Sequence, residues 1–597
     1  MTSLLRSRLA LALPAVTVER REDGVSILRS TAPLSKYARC VGDWLTLWAT
    51  DAPTRDFLLE RASTKPDAPW RSVTYGETYD QVRRIGAALL KRELGPDRPL
   101  LILSGNSIRH ALLALGAMHV GVPVVPVSVA YALLSTDFAK VRAIVAQVNP
   151  GMVFAEQPDR FTAALSAIAM KSVTFDELLE DEPGTELDAA HLAVGPDTVA
   201  KILFTSGSTG TPKGVINTQR MLTSNQQQSL QVWPFTATTP PVVVDWLPWS
   251  HTFGGNYNLH LVLCNGGTLH IDAGKPTTPG DFAPTLRNLR EVAPTMYFNV
   301  PRGFDMLLPE LEGDATFRKH FLSRCEFIFY AGAALSSQLW ARMERLGADE
   351  RAGDLALVSS WGSTETAPLC AAVHFPVGGT GVIGLPVPGL EIKLVPSQGK
   401  LEARVRGPNV TPGYLHAVTA TSAAFDDEGF FRMGDALRFV DPERIEQGLA
   451  FDGRIAEDFK LVTGTWVHVG ALRLRLVGEA DSLLQDAVIA GHNRDDVTAL
   501  LFPSVAARRL NIAELRERLT AVIAQLNLSS AGSGSLRIAR ALIQHEPLQP
   551  DAGEITDKGY VNQRAVLERR CDQVERLYAQ TADDEIIKPL NAEGPFS

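Results

Sequence analysis

The chain has 597 residues, too many for one hydrophobic core, so several folding units are expected. Hydrophobic residues make up 45% and charged residues 21%, the balance of a globular protein and not of a disordered or fibrous one. A net charge of −9 argues against nucleic acid as a partner, because a phosphate-backbone binder needs a basic face.

Five cysteines (Cys40, Cys264, Cys325, Cys370 and Cys571) are scattered without a CxxC or metal spacing, which points to reduced thiols and a cytoplasmic protein. At the start, "MTSLLRSRLALALPAV" places arginines before a short apolar run; it reads as part of an N-terminal arm over residues 1–30, not as an export signal. Further on, "YDQVRRIGAALLKREL" has helical spacing and is followed by the strand-like "PLLILSG". Residues 111–134 are apolar for long enough to cross a bilayer, but Pro123 and Pro126 break the run and His119 lies inside it. A buried helix, a turn and a buried strand are expected there, and no membrane span.

The most informative stretch is "KILFTSGSTGTPKGVINT", residues 201–218. A short apolar strand runs into the ten residues 205–214, which hold three glycines, five hydroxyls and one lysine. Bare backbone N–H groups and hydroxyls beside a positive charge suit the oxygens of a phosphate chain. The Walker spacing is absent, since Pro212 precedes Lys213 and Gly214 follows it, so a nucleoside triphosphate would be held in another way.

Helix-like "DFAPTLRNLREVAP" and strand-like "TMYFNV" continue the alternation, as do "CEFIFYAGAAL" and "DLALVSSWGSTE". These last two strands run straight into polar turns at 332–334 and 362–366. Such alternation predicts parallel-rich sheets flanked by helices, with one ligand site fed by several loops beyond the strand ends. Near residues 451–454 the texture changes. The remainder holds strand-like "DAVIAG" and "ALLFP", helix-like "NIAELRERLTAVIAQLN" and one last helix through "QRAVLERRCDQVERLYAQ", enough for a small α+β domain. The expected class is therefore α/β, with a large domain over 31–452 and a small domain over 453–597.

Six motifs together resemble the acyl-adenylating superfamily of acyl-CoA synthetases, peptide-synthetase adenylation domains and insect luciferases. They are "FTSGSTGTPKGV", "LPWSHTFG", "WGSTE", "VRGPNVTPGY", "GFFRMGDALRFV" and "FDGRIAEDFK", in that family's order. The lead "ILRSTAPLSKYARCVGDWLTLWA", with "FKLVTGTWVHVGALR" and "GEITDKGYVNQRAVLERR", is most similar to bacterial feruloyl-CoA synthetases. The resemblance implies an AMP-forming ligase that joins a carboxylic acid to coenzyme A through an acyl-adenylate, with ATP and Mg²⁺. Its acid would be a small aromatic one such as ferulate, coumarate or caffeate, and its small domain would be a mobile lid.

Residue by residue, the resemblance implies that Thr205, Ser206, Ser208, Thr209 and Thr211 offer hydroxyls to the phosphates. Gly207, Gly210 and Gly214 would allow close backbone approach, and Lys213 would add charge. Trp361 would stack on adenine, where the family usually has tyrosine. Thr364 would bond the α-phosphate, Glu365 would hold Mg²⁺, Asp435 would accept from the ribose hydroxyls, and Arg454 would assist at the ribose or phosphate. His251 would stand between the acid and thiol sites, with Phe253, Tyr257, Phe298 and Tyr330 walling the acid. Lys558 would neutralise the α-phosphate.

Two departures stand out. Glu554 follows Gly553 where the family's ending differs, and Ala456 takes the usual hinge position. Oligomeric state is not legible. Benzoate or a medium-chain fatty acid is the alternative substrate, and a nucleotide-binding protein without turnover is the alternative class. A peptide-synthetase module and an adenylating reductase are disfavoured, because no carrier or dinucleotide segment is expected after the small domain.

Overall fold

Short apolar runs bounded by turn residues form the strands, and longer amphipathic runs form the helices between them. The computed structural model describes residues 9–205, 212–332, 335–351, 355–480, 483–504, 507–529, 536–549, 552–555, 561–579 and 583–589. These make a large α/β domain followed by a smaller α+β domain.

An 11-stranded sheet carries most of the candidate site. Its order is Val16–Arg20, Ser26–Ser30, Glu391–Ser397, Lys400–Arg406, Phe431–Phe439, Leu449–Arg454, Val382–Pro386, Leu369–Ala372, Ala356–Gly362, Phe327–Tyr330 and Met296–Asn299. The last three strands run parallel to one another. A 6-stranded sheet is ordered Lys213–Thr218, Val199–Thr205, Val124–Pro126, Leu100–Leu103, Met152–Ala155 and Ser172–Val173. Both sheets send strand ends toward the polar turns, the usual place for a ligand in an α/β sheet.

Local signals account for several elements. Helix Tyr75–Lys91 starts at a capping box in which Thr74 and Glu77 satisfy each other's backbone N–H. Residues 111–134 resolve into the end of helix Ile108–His119, strand Val124–Pro126 and helix Val129–Leu133. Among the described residues no helix is long and apolar enough to cross a membrane.

The arm expected over residues 1–30 is partly built into the fold. Val16–Arg20 and Ser26–Ser30 pair as a hairpin, and the second strand joins Glu391–Ser397 at the edge of the large sheet. Burial on both faces explains it: the consecutive residues Ile27 and Leu28 have 1% and 0% exposure and pack into different apolar clusters, so the segment has apolar surface to hide on each side.

In the small domain, strands Leu484–Ala490, Val497–Pro503, Ile538–Ile543 and Ile586–Ile587 form a sheet packed by helices Val469–Glu479 and Ile512–Leu528. The single last helix expected from the sequence is two, Gln563–Arg569 and Cys571–Tyr578. Arg570 lies at the break. Its guanidinium is buried against Glu554 at 2.7 and 2.8 Å and donates to the carbonyls of Glu546 and Pro547. A buried charge must be paired in place, and holding it there outweighs one continuous helix. The same pair gives Glu554 a structural reason for departing from the family's ending.

Candidate active site

The strands that flank the phosphate motif, Val199–Thr205 and Lys213–Thr218, pair antiparallel with Lys213 opposite Thr205. Ser206, Gly207, Ser208, Thr209, Gly210 and Thr211 lie outside the described residues. Lys213 Nζ sits 5.4 Å from the ring centre of Tyr414, within cation–π reach. The Tyr414 hydroxyl donates to Glu365 Oε1 at 3.1 Å. Backbone bonds fix the approach: Leu415 N–H donates to the Gly214 carbonyl, Ile216 N–H to that of Gly413, and Thr411 N–H to that of Glu365. One file of contacts therefore joins "TPKG", "TPGY" and "GSTE". Burial, reinforced by the Glu365 carboxylate, holds the Tyr414 phenol well above its usual range.

A second file starts at the end of strand Ala356–Gly362, where the register shifts between Trp361 and Gly362. Such bulges re-aim side chains. Gly362 is required, because a Cβ there would lie 1.6 Å from the Pro368 carbonyl oxygen. The Trp361 indole N–H donates to Asp435 Oδ2 at 2.9 Å, and Arg454, cross-strand partner of Asp435, places Nε 3.7 Å from Oδ1. Burial pushes the Asp435 carboxyl up, opposed by the Arg454 charge and the indole bond. Arg454 is 68% exposed on its side chain, free to turn toward an anion. Thr364 and Glu365 lie in the 3₁₀ turn Thr364–Thr366, where Ser363 Oγ accepts from Glu365 N–H.

Sequence reasoning missed the amides behind this turn. Asn225 pairs with both backbone groups of Leu369: its Nδ2 donates to the carbonyl and its Oδ1 accepts the N–H. Asn225 also donates to Gln228 Oε1, and Gln228 donates to Asn409 Oδ1. Asn409 in turn donates to the carbonyls of Thr366 and Leu369. All three side chains have 0% exposure. The overlooked signal is "MLTSNQQQSLQVW", an amide-rich run with no charge, which suits a buried helix better than a solvated one.

His251 N-caps a π-helix, Thr252–Asn258. Irregular turns of this kind recur at functional sites. Phe253 and Tyr257 on that helix meet Phe298 and Phe329, with ring centres 5.4–6.5 Å apart. Tyr330 does not join them. It follows Phe329 in the strand, so it points to the other face and packs against Trp340.

Lys558 lies outside the described residues. Ile555 and Val561, on either side of its segment, form a backbone bridge. Ala456 is exposed in the turn Ile455–Glu457. Two residues on, Asp458 is buried between Lys400 Nζ at 2.5 Å and His468 Nδ1 at 2.9 Å, and it caps helix Val469–Glu479 through Val469 N–H.

Known proteins can be set beside this geometry. Residues 48–415 match the AMP-binding enzyme family, and residues 460–582 match the AMP-binding enzyme C-terminal domain. The chain belongs to the AMP-binding enzyme family. It is similar to carboxylic acid reductase of Mycobacterium tuberculosis, 24% identical with 88% of this chain and 48% of that protein covered. It thus spans about half the length of the first curated relatives it matches. It is also similar to long-chain-fatty-acid–CoA ligase FadD15 of Mycobacterium bovis, 24% identical with 86% and 93% covered. Among solved structures, O-succinylbenzoate coenzyme A synthetase of Bacillus subtilis in complex with AMP shares the fold: TM-score 0.67, 17% identity, 89% and 98% covered.

Proposed function

We propose that this protein is an AMP-forming ligase that activates a hydroxycinnamate-like acid with ATP and passes it to coenzyme A. A carboxylate oxygen attacks the α-phosphorus, the bond to the bridging oxygen breaks, and pyrophosphate leaves. The coenzyme A thiolate then attacks the acyl carbon, and AMP leaves with the oxygen that the acid supplied.

The observation that carries this reading is the pair of contact files, Lys213–Tyr414–Glu365 and Trp361–Asp435–Arg454, which come together at the end of strand Ala356–Gly362 and the turn Thr364–Thr366 that follows it. In this reading, the motif from Thr205 to Lys213 (Ser206, Gly207, Ser208, Thr209, Gly210 and Thr211 included) supplies the groups that bind the β- and γ-phosphates. Asp435 accepts from the ribose, beside adenine stacked on Trp361. Thr364, Arg454 and Lys558 meet the α-phosphate side, and His251 separates acid from thiol. Glu365 fits Mg²⁺: Tyr414 occupies one of its oxygens, and a hard cation needs only one or two carboxylates alongside phosphate oxygens. The cation, when bound, neutralises the phosphate chain.

Placed positive charge and oriented donors are the main source of rate in such a reaction, because one anion must approach another. The hydroxycinnamate is supported by the aromatic cluster beside His251 and by the likeness of "FKLVTGTWVHVGALR" and "GEITDKGYVNQRAV" to feruloyl-CoA synthetases.

The test is a panel of ferulate, coumarate, benzoate and octanoate with ATP, Mg²⁺ and coenzyme A, following AMP and thioester. Ferulate or coumarate should give the highest kcat/KM, and Glu365→Gln should lower AMP release roughly 100-fold. A preference for octanoate would reassign the acid. AMP without thioester would point to another acceptor.

A further inference from the structure

Lys201 is a lysine inside the core, 3% exposed, four residues before Thr205 on the same strand. Its Nζ donates to the Gly255 carbonyl at 2.6 Å. Among the described residues no carboxylate pairs with it. Burying an amine that could ionise is costly, and a methionine would fill similar space more cheaply. Its cross-strand neighbour in the hairpin is Asn217, 0% exposed, whose Oδ1 accepts from Asn256 Nδ2 at 2.8 Å. Two adjacent residues of the phosphate hairpin thus grip two consecutive residues of the π-helix that begins one residue after His251.

The π-helix cannot slide freely under that grip. A Cβ on Gly254 would lie 2.2 Å from the Leu247 carbonyl oxygen, and one on Gly255 2.2 Å from that of Trp249. Gly255 N–H also donates to the His251 carbonyl at 2.8 Å. Movement of the hairpin therefore reaches His251 and the rings of Phe253 and Tyr257 through the shortest path, two hydrogen bonds.

We propose that Lys201 and Asn217 are positioning residues that couple the phosphate hairpin to the π-helix, so that nucleotide and acid each tighten the other's binding. This rests on the proposed function, which places nucleotide at one end of the clamp and acid at the other. His110 and His260 face the same amine. Burial lowers the first to about 4 and the second well below its usual range, so neither changes charge near neutrality.

The experiment measures dissociation constants of AMP and of ferulate by calorimetry, each alone and in the presence of the other, for the full chain. In the unmodified protein AMP should tighten ferulate about fivefold or more, and ferulate should tighten AMP by the same factor, as linkage requires. Lys201→Met should bring that factor close to one while AMP alone binds within about twofold of its original affinity. Asn217→Ala, should Lys201→Met fail to fold, should show the same loss of coupling. An undiminished factor in a folded variant overturns the proposal, as does a parallel fall in both separate affinities. A protein that binds neither AMP nor any acid of the panel overturns the functional reading itself, and the clamp with it.

Discussion

Two groups of buried amides lie against one helix, Gln219–Val232, and they differ in how fully they are paired. On one side Asn225, Gln228 and Asn409 exchange hydrogen bonds with each other and with the turn behind Glu365. On the other, Gln226 reaches the carbonyls of Asn256 and Tyr257 on the π-helix, Asn256 Oδ1 has no partner among the described residues, and the Lys201 amine rests on one carbonyl. A fully satisfied buried network fixes a single geometry, whereas a partly satisfied one has lower cost to rearrange. The network behind Glu365 therefore fixes one geometry, while the π-helix side keeps a polar atom without a partner among the described residues.

That contrast can be broken by substitution. Asn225→Ala leaves the Leu369 N–H and Gln228 Oε1 without their partner, and should lower unfolding free energy by about 3 kcal/mol in urea melts. Little change would mean that water replaces the amide and the turn is not held as described.

Next comes pH. Burial lowers Lys201 to about 7, so the unfolded chain holds more protons than the folded one between pH 7 and the ordinary lysine range. Stability from this group therefore rises with pH in that window, by at most about 1.4 kcal/mol per unit. The difference in unfolding free energy, unmodified protein minus Lys201→Met, should grow from pH 7 to 9. A flat difference would place the amine in contact with water.

Tyr414→Phe removes one bond to the Glu365 carboxylate and should reduce AMP release by about tenfold, the worth of one charge-assisted hydrogen bond. The smallest effect is expected for Asn256→Ala, about 1 kcal/mol of stability, because the side chain is only half satisfied to begin with. Should it cost as much as Asn225→Ala, the distinction between the two sides fails.

Much of this was legible in the sequence. Strand–helix alternation gave the α/β class, and the apolar run before Thr205 marked the strand Val199–Thr205. Trp361, Asp435 and Arg454 could be assigned to one place only because the motifs resembled a family; nothing in their spacing brings residue 361 beside 435. What was hidden shares a cause. Asn225, Gln228 and Lys201 are polar residues whose burial depends on tertiary neighbours, and a polar side chain carries no periodic signal of being inside. Tyr330 was misplaced by one residue of strand alternation, and Arg570 broke a helix that local pattern alone would continue. Val16–Arg20 and Ser26–Ser30 looked detachable because sheet pairing with residues 391–397 is invisible locally.

The central claim is that an acid's own oxygen attacks the innermost phosphorus of ATP, and isotope transfer reads that step directly. Ferulate labelled with ¹⁸O in its carboxylate, turned over with ATP, Mg²⁺ and coenzyme A, should yield AMP carrying one labelled oxygen on phosphorus. Label in inorganic phosphate alongside ADP would contradict the account.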